Sequence, residues 1–336
     1  MSGRFPWQQA TWEQLVRVHE AGRLPHGLVL AGAAGIGKLD FARVLARFLM
    51  CLQPDGMEPC GHCKSCLLLD AGSHPDVRYF EPEEAGRVIK VDQVRDLNEF
   101  IAKTPQQGRR KVAIVSPAEA MNQNAANALL KTLEEPSADA VLILVSHVPS
   151  QLLPTIRSRC QIWALPSPTQ EAALPWLAAQ LGGCAADAEE LLRMARGAPL
   201  AALQLAQAGA LEEQRILLAD MAAVLKRDQS PFDVAARWQK LDLPRILGWL
   251  YQWTAAAISF RESGAMVPLS DASARKMLEY VATKAPAEEL FGFLDDIQGA
   301  TRSLRLHQNP NAQLLLESLL SKWLFLIAKK STRLSS

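Results

Sequence analysis

Short unbroken apolar runs alternate with helical stretches over the first 165 residues. Leu28-Val29-Leu30, Val112-Ala113-Ile114-Val115, residues 141–145 and Ile162-Trp163-Ala164-Leu165 are continuous. They lack the every-second-residue alternation of a half-solvated strand, so they predict strands of a parallel sheet covered on both faces. Helical patterns over 40–50 and 122–135 lie between them, the second stopped by Pro136. The pattern changes at Pro166-Ser167-Pro168, which reads as a hinge. Residues 169–207 predict short helices only, and from about 210 to 330 Leu, Ala and Trp recur at helical spacing. The fold class expected is α/β plus all-α: an α/β domain over 1–166, a small helical domain over 167–208 and a larger helical domain over 209–336.

Composition narrows the class. Of 336 residues, 49% are hydrophobic and 21% charged, which suits a soluble chain of two or three domains. Net charge is +1, so no global basic field announces nucleic acid. Arg109-Arg110-Lys111 and Lys329-Lys330 are the dense basic runs, and such runs are more often solvated faces than DNA sites. The polar start, with Pro6 and Trp7, does not resemble a secretory leader, and no run of about 18 apolar residues suits a membrane span. A cytoplasmic chain with no membrane partner is expected.

Gly32-Ala33-Ala34-Gly35-Ile36-Gly37-Lys38 fits G-x-x-x-x-G-K between a predicted strand and helix. Glycines at 32, 35 and 37 let backbone amides turn toward phosphate oxygens, and Lys38 would reach the terminal phosphates. A working loop ends in Ser or Thr, whose hydroxyl holds magnesium; Leu39 stands there instead. The strand at 112–115 runs into Ser116-Pro117 where an acidic pair would hold the metal, and nearby Glu119 reads as a solvated helix-start acid. ATP or ADP is therefore expected to bind weakly or not at all, without hydrolysis.

Arg159, in Ser158-Arg159-Cys160, falls between the third and fourth predicted strands. Its planar guanidinium suits a neighbour's phosphate, while an intrachain salt bridge is the commoner fate of an arginine. Cys51, Cys60, Cys63 and Cys66 read C-x8-C-x2-C-x2-C, four thiolates suited to a closed structural zinc site within residues 51–66. His62 lies inside the cluster as a substitute ligand, and clustered free thiols are the other reading. Cys160 and Cys184 read as small buried residues.

Several of these stretches together resemble the AAA+ clamp-loader family. They are Leu24-Pro25-His26-Gly27, Val91-Asp92-Gln93-Val94-Arg95, the run from Asn127-Ala128-Leu129-Leu130 through Lys131-Thr132-Leu133-Glu134-Glu135-Pro136, and Ser158-Arg159-Cys160. The degraded loop, Ser116-Pro117 and Asn309-Pro310-Asn311-Ala312-Gln313-Leu314 resemble its non-motor, delta-prime branch. The resemblance implies an AAA+ P-loop domain with a zinc module, a helical lid and a helical collar. It implies a DNA-replication role: loading a sliding clamp onto primed DNA beside gamma or tau motor subunits and delta, within a DNA polymerase III holoenzyme that carries nucleotidyltransferase activity. It also implies that Arg159 acts in trans on a motor neighbour's ATP, and that Leu200, in Gly197-Ala198-Pro199-Leu200, replaces a nucleotide-sensing arginine. Apolar positions Leu316, Leu319, Leu320, Trp323, Leu324 and Ile327 read as a core stripe, to which the family adds a collar contact. The competing readings are an active gamma/tau-type motor, a stand-alone P-loop kinase and a zinc-dependent nucleic-acid binder. The first two need the magnesium ligands that are missing, and the third is opposed by the near-neutral charge.

Overall fold

A computed structural model describes residues 3–84, 86–107, 109–137, 139–264, 272–306, 308 and 310–327. Asn309 and the Lys329-Lys330 pair lie outside the described residues. The chain divides into two compact units, Met1–Gln204 and Leu205–Ser336.

The first unit is built on a five-stranded parallel sheet. Its strands are β1 (Gly27–Ala31), β2 (Val77–Phe80), β3 (Lys111–Val115), β4 (Ala140–Ser146) and β5 (Gln161–Ala164), in the order β2-β3-β4-β1-β5. β1, β3 and β4 are buried along their whole length, as their unbroken apolar runs predict. Alternate residues serve opposite faces. Leu28, Leu30, Val112, Ile114, Val141, Ile143 and Val145 pack with α1 (Gln9–Glu20) and α2 (Lys38–Met50). Val29, Ala113, Val115, Leu142 and Leu144 pack with α4 (Val91–Ala102), α5 (Gln123–Glu134) and α6 (Pro154–Arg157). A one-residue slip in register would exchange the two sets. The short helix α3 (Lys64–Asp70) follows the cysteine segment. Helices α7 (Gln170–Gln180), α8 (Ala185–Met194) and α9 (Pro199–Gln207) come after the sheet.

Sequence patterning misses β2. It is an edge strand with Arg78 and Tyr79 exposed, so only Val77 and Phe80 carry an apolar signal. Cys184 corrects another expectation. It is exposed and precedes α8, where Gly182-Gly183 carries the chain away from the core, and its Sγ donates to Asp187 Oδ2 at 3.0 Å.

Lys111 departs from the basic-run reading. It is buried and paired with the fully buried Asp76 at 3.1 Å. Asp76 also accepts the backbone N–H groups of Gln106 at 2.8 Å and Gln107 at 2.7 Å, and the Lys111 ammonium lies 4.4 Å from the centre of the Phe100 ring. Two buried charges are tolerated because each meets the other and the remaining acceptor sites are filled.

The second unit is helical: α10 (Ala210–Lys226), α11 (Pro231–Trp238), α12 (Leu243–Ser263), α13 (Ala272–Lys284), α14 (Ala287–Arg305) and α15 (Ala312–Phe325). Trp238, Trp253 and Trp323 are fully buried. Buried Asp220 on α10 accepts Trp238 Nε1–H at 2.9 Å and pairs with Arg237 at 2.7 Å. Leu316, Leu319, Leu320 and Trp323 form the expected core stripe of α15. Leu314, Phe325, Phe291 and Tyr280 stay exposed. Among the described residues no helix is long and apolar enough to cross a membrane.

Candidate functional site

Three of the singled-out segments meet around Arg159. Ser158, Arg159 and Cys160 follow the single helical turn of α6 and lead into β5. Cys160 is driven into the core beneath the start of β1. A Cβ added to Gly27 would stand 3.0 Å from Cys160 Sγ and 3.1 Å from Leu133 Cδ2, so glycine is what lets the strand pass this close. Burial pushes the Cys160 thiol up to about 12, so it serves as a small apolar anchor. His26 Nε2 lies 3.1 Å from the Leu133 carbonyl oxygen, tying the segment before β1 to the end of α5.

With its backbone fixed by Cys160, Arg159 holds its side chain along the surface. Nη1 donates to the Thr155 carbonyl at 3.0 Å and to Ser158 Oγ at 3.3 Å. Nη2 pairs with Glu134 Oε1 on α5 at 2.7 Å. The Arg159 side chain is 34% exposed and that of Glu134 50%. The intrachain salt bridge that counted as the ordinary reading is thus present, on a guanidinium that still faces solvent.

The phosphate loop lies between β1 and α2, as expected. Gly35 and Gly37 have φ of +75° and +84°, the left-handed region that a side chain disfavours. A Cβ on Gly35 would lie 2.7 Å from Ala201 Cβ and 2.9 Å from Ala201 N, because the start of α9 sits directly on the loop. The Leu200 N–H donates to the Gly35 carbonyl at 2.9 Å. Trp7 Nε1–H donates to the Ile36 carbonyl at 2.9 Å, and the buried Gln8 amide donates to the carbonyls of Ile36 and Gly37 at 3.0 and 2.8 Å. Phe5 stacks on Trp7 at 5.0 Å, and both meet Trp176 of α7 edge-on. None of Phe5, Trp7, Gln8 or Trp176 belongs to the glycine motif, and nothing in their local sequence places them there.

Lys38 is buried, and its ammonium donates to the Ala33 carbonyl of its own loop. Burial lowers its pKa to about 8, against the opposing pull of Glu119. Leu39, the second residue of α2, packs against the core where a magnesium-binding loop has a hydroxyl. Ser116 is buried at the end of β3, its N–H bonded to the Phe80 carbonyl at 3.0 Å. Glu119 is no solvated acid: Oε1 accepts the His147 N–H at 2.8 Å, which links the turn after β3 to the end of β4. Glu119 Oε2, Ser146 Oγ and His147 Nδ1 are buried without a hydrogen-bond partner among the described residues. Burial, then the Lys38 charge, lowers the His147 pKa, while Glu119 opposes the shift.

The cysteine segment gathers as its spacing predicts. The four sulfurs of Cys51, Cys60, Cys63 and Cys66 lie within 4.8 Å of one another. Each later cysteine donates its N–H to the sulfur before it: Cys60 to Cys51 at 3.3 Å, Cys63 to Cys60 at 3.3 Å and Cys66 to Cys63 at 3.4 Å. Such donors favour thiolates, the form that binds metal. Burial alone would raise the Cys63 thiol, but the N–H groups of Leu52 and Cys66 outweigh it and bring it down to about 6. Burial pushes Cys66 up to about 12. His62 stands outside the cluster, its Nδ1 2.8 Å from the Cys60 carbonyl oxygen. Four soft donors at this separation fit a single metal ion.

Comparison with known proteins gives a consistent picture. A family profile described as "DNA polymerase III, delta subunit" matches residues 7–169, and one described as "DNA polymerase III, delta subunit, C terminal" matches 209–324. DNA polymerase III subunit delta' of Pseudomonas aeruginosa is 42% identical over 326 residues, 96% of this chain and 98% of that one. Its counterpart in Escherichia coli is 32% identical over 316 residues, 94% of each. Among solved structures, a DNA polymerase III gamma subunit-related protein of Thermotoga maritima aligns over 94% of this chain and 99% of that one, at 20% identity and a TM-score of 0.48.

Proposed function

Because the chain belongs to the family of DNA polymerase III delta' subunits, we propose that it is the non-hydrolysing subunit of the clamp loader and lends Arg159 to a motor neighbour's ATP site. The observation that carries this is the mounting of Arg159. Its backbone is fixed by a buried cysteine, yet its guanidinium remains partly exposed. An arginine supplied in trans stabilises the charge of the transferring phosphoryl group and is worth roughly 10³–10⁵ in rate.

The absence of hydrolysis follows from the chain's own loop. Leu39 offers no oxygen to magnesium and Ser116-Pro117 no carboxylate, while one oxygen of Glu119 is taken by a backbone N–H. Leu200, at the start of α9, donates its backbone N–H to the loop and carries no charge where a motor would place a cation. Nucleotide at Lys38 is weak or absent. Cys51, Cys60, Cys63 and Cys66 would hold a structural Zn2+ that fixes the segment before α3. In this reading residues 1–166 are the AAA+ domain, 167–208 the lid and 209–336 the collar. The partners are gamma or tau motors and delta, acting on the sliding clamp and primed DNA in the cytoplasm. Exposed Leu314, Phe325 and Phe291 suit a helical collar contact.

The test is a loader reconstituted with Arg159→Ala. The neighbouring site should lose ATP hydrolysis and clamp loading should slow, while the isolated wild-type chain shows no ATPase above background. Unchanged loader ATPase with the variant overturns the reading.

A further inference from the structure

We infer that Glu134 is a positioning residue, holding Arg159 in the orientation in which it meets a neighbour's phosphate; this rests on the reading of Arg159 as a residue supplied in trans. The geometry divides the guanidinium between two tasks. Nη1 is occupied by the Thr155 carbonyl and Ser158 Oγ, and Nη2 is drawn to Glu134 Oε1. Among the described residues nothing accepts the Nε–H, and Nη2 keeps its second hydrogen. Nε–H is thus a donor still open to a phosphate oxygen. Glu134 can therefore hold Nη2 while Nε–H meets a neighbour's phosphate.

The position of Glu134 is odd on helical grounds. It is the last residue of α5, and Glu135 caps the same end. Carboxylates are disfavoured at a helix C-terminus, where the backbone carbonyls already present negative charge. Departures from a local rule are concentrated where a residue has another task. Here the carboxylate is paired with an arginine. A long side chain that rotates freely in isolation is thereby held from two sides, by α6 and by α5.

The experiment uses the reconstituted loader with Glu134→Ala, Glu134→Gln, Arg159→Ala and the Glu134→Ala/Arg159→Ala double variant, reading kcat and KM for ATP in the presence of clamp and primed DNA. Glu134→Ala should lower kcat about fivefold, the scale of a partly exposed pair, with KM unchanged. Glu134→Gln keeps an acceptor oxygen and should recover most of the rate. In the Arg159→Ala background the second change should add nothing. If Arg159→Ala is impaired and Glu134→Ala runs at the wild-type rate or faster, the positioning role is wrong while the Arg159 reading stands. If Arg159→Ala itself leaves the rate unchanged, both fall. A Glu134→Ala loss that persists undiminished in the double variant assigns Glu134 to stability and overturns the inference.

Discussion

Leu200 donates its backbone N–H to the carbonyl oxygen of Gly35, 2.9 Å away, so the first turn of α9 is seated on the phosphate loop. The seat depends on the missing side chain at 35. Gly35→Ala must adopt a left-handed φ of +75° and push Ala201 away. A loss of about 2 kcal/mol or more is expected in urea unfolding. A variant as stable as the parent would show that α9 does not rest there.

Lys38 sets a pH dependence. Its pKa is about 8 in the folded chain, against about 10.4 for a free lysine, because burial penalises the ammonium. Below pH 8 both states hold the proton and the penalty is fully present. Between about pH 8 and 10 the folded state releases it first, the unfolded state binds more protons, and stability from this group rises with pH. Lys38→Met removes the titrating group. The difference between parent and variant in urea unfolding free energy should shift in the parent's favour from pH 7.5 to pH 9.5, and a constant difference would contradict the burial argument.

Asp76 and Lys111 are expected to be strongly interdependent. Asp76→Ala strands a buried ammonium and leaves two backbone N–H groups unmet, at a cost of about 3–5 kcal/mol. Asp76→Asn combined with Lys111→Met should be less damaging than Asp76→Ala alone. Chemical denaturation of the parent, Asp76→Ala, Asp76→Asn, Lys111→Met and the double variant decides it, and simple additivity of Asp76→Asn and Lys111→Met would refute the pairing.

The cysteine segment predicts a metal content. Protein purified without chelator should carry about one zinc per chain, and removal should lower the melting temperature, since metal binding at such a site contributes to folding. Cys63→Ser should reproduce the loss. Metal analysis finding no zinc in either state would discard the site.

Gly27 and Cys160 give a packing test. Gly27→Ala places a methyl group 3.0 Å from Cys160 Sγ and should cost about 1–3 kcal/mol. Because Cys160 fixes the backbone of Arg159, the same variant should also weaken loader ATPase. Full activity at normal stability would separate the two.

Much of this fold is legible in the sequence alone. β1, β3 and β4 announce themselves because both faces are buried and their central residues form unbroken apolar runs. The glycine loop and the four cysteines are legible because their chemistry is local: the groups that act together are neighbours in sequence. What escapes is whatever depends on pairing at a distance. Glu134 meets Arg159 only after the chain has run through β4 and α6. Glu119 looks solvated until His147 arrives from the end of β4. Phe5, Trp7 and Ala201 reach the phosphate loop from two other segments. Cys184 failed for the opposite reason: its residue type favours burial, but two glycines and a helix start put it outside.

The basic run at 109–111 divides into two inheritances. Arg109 is exposed, and water tolerates many replacements there. Lys111 is bound to Asp76, 35 positions earlier, by a contact neither residue can abandon alone. Across related chains, the columns holding 76 and 111 should vary together or not at all, while the column beside them drifts.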